Sequence, residues 1–240
     1  TLLGAAVLAF SSFGAMAVPI NVGGVVWDPD NASDFFMEYR FYQDFTGDPA
    51  IAGTQLFGYG QVYGLNNDLL GFCPGCELTF IFSGFESNGA GGFNSGDGLA
   101  GSPSIRFFVD DTPDYDYNGD PFNALTAGNG DLWLELLAGN VNFNTTSGDP
   151  SNPYLSGFLN IEWFLGDNTA LAFNNFLMAT QPGGGDAYSS AQATFGLTNN
   201  PNGGARGNGT LDAVTVPEPG ILFLFGTALV GLGVMRRKIS

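Results

Sequence analysis

The chain has 240 residues, 44% of them hydrophobic, with 23 Phe, 8 Tyr and 3 Trp, enough apolar surface for a sizeable core and too much for wholesale disorder. Between Val18 and Val216, 22 acids face only Arg40, Arg106 and Arg206, a net charge of −19 that repels phosphate and excludes nucleic acid as a partner. There is no His, so a Ser-His-Asp triad and a His-rich metal site are both ruled out.

In chain order, residues 1–17 read as a signal peptide. Leu2 to Phe13 is an apolar stretch, and Ala15-Met16-Ala17 is a small-x-small cleavage site. Residues 18–198 read as β throughout. With 37 Gly and 13 Pro the chain is dense in turns, and short aromatic or β-branched runs lie between them. The predicted strands are Phe35 to Tyr42, Thr54 to Tyr63, Leu78 to Phe82, Ile105 to Val109, Leu132 to Leu137, Val141 to Phe143, Phe158 to Leu165 and Ala191 to Leu197. Leu171 to Met178 is read as a strand that could equally be helical. In Thr54 to Tyr63, Leu56, Gly58, Gly60 and Val62 fall on one face and Gln55, Phe57, Tyr59, Gln61 and Tyr63 on the other. Strands at about ten-residue spacing predict a single all-β domain, an antiparallel β-sandwich or jelly roll. Gly-rich strands with open edges leave self-assembly as one partner reading. Residues 199–216, rich in Gly and Asn at their start, read as a linker.

Four features of the body carry candidate chemistry. Cys73-Pro74-Gly75-Cys76 reads as a disulfide clamping a tight turn, because the segment is exported and opens a strand rather than a helix. Asp114, Asp116, Asn118 and Asp120 place oxygen ligands at alternate positions around Gly119, the pattern of the first half of a Ca²⁺ loop; the competing reading is a solvated acidic turn. Glu135 and Glu162 are the carboxylate pair a glycosidase would need, without a spacing that marks one. Tyr59, Tyr63, Tyr115, Tyr117, Trp133 and Trp163 are the rings a carbohydrate-binding module would use. Of these, Trp133 and Trp163 are expected in the core and Tyr115 and Tyr117 at the surface.

The last segment, 217–240, opens on Pro217-Glu218-Pro219. Fifteen apolar residues follow (221–235), about 22 Å as a helix and marginal for a bilayer, and then Arg236, Arg237 and Lys238. Motif, apolar helix and basic cluster, in that order, resemble the PEP-CTERM sorting signal of Gram-negative bacteria. The resemblance covers the tail only. It implies recognition by an exosortase, transient membrane residence through 221–235, removal of the tail, and a final place at the cell surface or in the extracellular matrix, where such proteins are associated with exopolysaccharide and biofilm. The expected function is therefore a secreted, non-enzymatic matrix or adhesion protein with Ca²⁺ as its only candidate cofactor. A carbohydrate-binding module is the first alternative and a glycosidase the second.

Overall fold

In the computed structural model the described residues are 18–47, 51–69, 71–90, 92–120, 123–145, 154–181, 184–196 and 205–216. The signal peptide, the sorting motif, the apolar segment 221–235 and the basic cluster lie outside them. Residues Pro19–Val216 form one compact unit. Among the described residues no helix is long and apolar enough to cross a membrane.

The unit is a closed barrel. A short hairpin of β1 (Ile20–Val22) and β2 (Val25–Trp27) precedes eight antiparallel strands: β3 (Phe35–Phe45), β4 (Gln55–Leu65), β5 (Glu77–Glu86), β6 (Ser104–Asp110), β7 (Asp131–Thr145), β8 (Tyr154–Leu165), β9 (Ala187–Gly196) and β10 (Ala205–Ala213). Each strand pairs with the next in sequence, and β10 returns to pair with β3. This sequential order corrects the sandwich expectation: there is no Greek-key crossing, and the eight-stranded sheet closes on itself with no free edge. The open-edge route to self-assembly therefore fails for these strands. The linker expectation for 199–216 is corrected as well, because 205–213 is β10, the strand that completes the barrel.

Eight strands enclose an interior just wide enough for side chains to fill. Phe35, Met37, Tyr39 and Phe41 of β3, Leu56 and Val62 of β4, Phe80 and Phe82 of β5 and Trp163 of β8 are all buried in one cluster. So many rings fit because facing positions are glycine. A Cβ on Gly60 would sit 2.2 Å from the Phe80 ring, on Gly58 2.4 Å from Phe82, on Gly207 2.3 Å from Phe41 and on Gly209 2.6 Å from Tyr39. The inner face of β4 is the Leu56/Gly58/Gly60/Val62 face read from the alternation. A cavity of about 40 Å³ remains, lined by Phe41, Gln43, Phe85 and Trp163 among others.

One end of the barrel is plugged by Trp27, Phe35, Trp133 and Phe176, whose ring centroids lie 4.8–6.2 Å apart. Leu171 to Met178 belongs to this plug and is neither a strand nor an α-helix; it contains a single 3₁₀ turn, Phe173–Asn175. At the same end Asn66, in the left-handed region at φ 52°, donates to the carbonyls of Asp28 and Asp34 and accepts from the amide of Phe36. It ties the hairpin segment to the barrel. The Cys73–Cys76 disulfide lies beside this hairpin, whose Val26 amide donates to the Phe72 carbonyl.

Candidate functional site

The connection between β6 and β7 folds back over the outer face of β3–β5. Its single helical turn, α1 (Ala124–Ala127), is capped by the Asn123 side chain. The Ala127 carbonyl accepts from the Thr79 hydroxyl at 2.9 Å. Tyr115 and Tyr117 pack against Tyr42, with Tyr59 and Ile81 beside them. They are 7% and 9% exposed, which corrects the expectation of surface tyrosines: their flanking Asp residues face water while the rings cover the outer sheet. Burial pushes both phenol pKa values up. Trp133 and Trp163 are core residues, Trp163 donating to the Ser189 hydroxyl.

Two of the body's three arginines meet on this covered face. Arg40 stacks on the Tyr117 ring at 4.3 Å and donates from Nη2 to Gln61 Oε1 at 3.0 Å. Arg206 stacks on Tyr42 at 4.6 Å, donates from Nε to the Tyr42 hydroxyl, and lies 5.5 Å from the Tyr117 ring. Strand register explains the meeting: Arg206 stands opposite Tyr42, and Asn208 opposite Arg40, which in turn faces Gln61. In a body so rich in carboxylates, neither arginine forms an ion pair among the described residues. Arg40 Nε is buried without an acceptor, an arrangement that costs about 1–3 kcal/mol. Sequence reasoning missed this pair; the available signal was the scarcity of bases, with Arg40 at an outward position of an alternating strand.

Asp116 accepts from the amides of Asn118 and Gly119 and so closes its own turn. Asp114 accepts from Asn129 Nδ2. Among the described residues, Asp114 is the one predicted ligand that joins a group of carboxylates within 4.8 Å, and its companions are Glu77 and Asp110. Glu77, on β5, is buried, and its Oε1 accepts from the amides of Asp114 and Tyr115 at 2.9 and 3.0 Å. Burial raises its pKa, opposed by those two hydrogen bonds. Nothing in the sequence marked Glu77, because its proximity to the loop is a tertiary fact.

Glu135 and Glu162 each accept from the backbone of the β8–β9 connection, Glu135 from Asp167 and Glu162 from Gly185. An open polar groove of about 470 Å³ runs along the β5–β6 connection, lined by Glu86, Asn94, Asp97 and Ser102 among others.

The described chain is held firmly up to its last residue. Asp34, opening β3, accepts from both the amide and the hydroxyl of Thr215. The Val216 amide donates to the Asn175 carbonyl, and Leu177 donates to Val214. Thr215 is 4% exposed. Beyond it comes the segment that decides the family signal. Residues 215–238 match the PEP-CTERM protein-sorting motif. The match spans the tail and begins at the clasped Thr215, so the motif follows the barrel with no spacer. A PEP-CTERM signal marks its bearer for export, passage through the membrane and processing by an exosortase. No curated protein and no solved structure matches the chain.

Proposed function

We propose that this chain is a secreted, non-enzymatic barrel protein, released by exosortase cleavage and held at the cell surface or in the exopolysaccharide matrix of a Gram-negative bacterium. The observation that carries the reading is the sorting motif at 215–238. In support, Asp28, Asp68, Asp116 and Asp167 accept from amides of their own turns. In the native host, the intact mass should show loss of both ends. Replacing Pro217, Glu218 and Pro219 by Ala should leave the tail attached and the protein in the membrane fraction. Recovery of the unaltered protein from the cytosol with both ends intact overturns the reading.

Calcium belongs to the proposal, with Glu77, Asp110 and Asp114 as its ligands. Three carboxylates within 4.8 Å repel one another, and a hard cation that takes oxygen ligands would relieve this. Millimolar Ca²⁺ should raise Tm by several degrees, and Glu77→Gln should abolish the shift while keeping the oxygen that accepts from Asp114 and Tyr115. An unchanged Tm in the wild type removes calcium from the proposal.

A further inference from the structure

We propose that the outer face of β3, β4 and β10 around Arg40 and Arg206 binds the carboxylates of an acidic polysaccharide; the choice of a matrix polymer as the source rests on the reading above. Three observations carry the site. The first is charge: two of the three cations in a body of net charge −19 converge on one pair of tyrosines, and the acids on the same outward faces, Glu38 and Asp44 of β3 and Asp212 of β10, form no ion pair with either. The second is pairing: neither guanidinium meets a carboxylate among the described residues, and Arg206 is exposed. Arg206 gives its Nε to the Tyr42 hydroxyl, and its two Nη groups remain as a fork that a planar carboxylate fits.

The third observation is the row beside them. Register aligns Gln192, Asn208, Arg40 and Gln61 across four adjacent strands. Four strands span about 14 Å at ~4.8 Å per strand, the reach of an oligomer rather than one small anion. Gln192 and Asn208 are exposed amides, each able to donate and accept as sugar hydroxyls require. A dense polyphosphate is disfavoured by the negative field of the whole body. A sugar polymer with one carboxylate per residue meets less repulsion, screened beyond ~8 Å at physiological salt.

The test titrates the full purified chain with a trimer of galacturonate and with the matching galactose trimer, which differs only in lacking the carboxylates. The galacturonate trimer should bind at least tenfold more tightly and shift the side-chain amide signals of Asn208 and Gln192 in NMR spectra. Arg206→Gln should weaken it at least tenfold, whereas Arg106→Gln, an equal change of net charge on β6, should leave it unchanged. Equal binding of the two trimers, binding of neither, or equal losses in the two variants each overturns the proposal. The amide shifts, read in the wild type, decide the matter should Arg206→Gln unfold. A correctly trimmed surface protein that ignores galacturonate defeats this inference alone; an untrimmed cytosolic protein defeats the reading it rests on.

Discussion

Glycine is the residue on which the interior depends. Phe41, Phe80, Phe82 and Tyr39 fill an eight-stranded lumen because the strands beside them carry hydrogen where a Cβ would collide. At Gly60 the added carbon would lie 2.2 Å from Phe80 and 2.5 Å from the Arg40 carbonyl, so neither a ring rotation nor a backbone shift alone relieves it. Gly60→Ala should therefore destabilise the barrel by about 1–3 kcal/mol, as overpacking does. Urea unfolding followed by Trp fluorescence measures this, and a midpoint equal to wild type refutes it. The same feature limits sequence reading. The alternation of Leu56, Gly58, Gly60 and Val62 is legible because apolar residues flank the glycines. The run Arg206 to Thr210 carries two glycines with polar neighbours, so a lumen-facing strand looks like a linker.

At the scale of elements, the chain closes its barrel and then fastens its own end. Asp34, at φ 53°, lies in the turn that opens β3 and holds Thr215, while the 3₁₀ segment holds Val216. The clasp places the Pro217-Glu218-Pro219 motif directly after a fixed point. Asp34→Ala removes both acceptors. Amide exchange at Thr215 and Val216 should then quicken by roughly tenfold to a hundredfold, while the amides of β5 and β6 stay protected. Equal exchange in the two proteins shows that the backbone bonds suffice without Asp34. The 3₁₀ segment itself was ambiguous in sequence for a physical reason. Leu171 to Met178 alternates too poorly for a strand and is too short for a helix, and its shape is set by packing Phe176 onto Trp27, Phe35 and Trp133.

For the whole molecule, charge sets the response to pH. Burial raises the pKa of Asp212 on β10, so its proton is held more tightly in the folded state. That contribution to stability is complete below the unfolded value of 3.8 and is lost as pH rises through the folded value. Asp97 and Asp167 are lowered by hydrogen bonds, Asp97 by Ser102 and Asp167 by the Thr169 amide. Their contribution is present above 3.8 and is lost only as pH falls through their depressed values. Between pH 7 and about 4.5 the two raised carboxyls, Asp212 and Glu77, and relief of the −17 net charge act in the same direction. Tm should therefore rise on mild acidification and, at pH 7, rise with added NaCl. A Tm that falls steadily from pH 7 to 4.5 contradicts this account.

The amino-acid sequence by itself determined what local pattern can encode. The all-β content, the inner face of β4, the core placement of Trp133 and Trp163, and the sorting tail were all legible, because alternation and an ordered motif lie within a few residues of one another. Only the tertiary structure decided closure, the burial of Tyr115 and Tyr117, the grouping of Glu77 with Asp110 and Asp114, and the meeting of Arg40 with Arg206. Each of these joins residues far apart in the chain through strand register. Register is fixed only when β10 finds β3 and the aromatic interior packs against the glycines that leave it room.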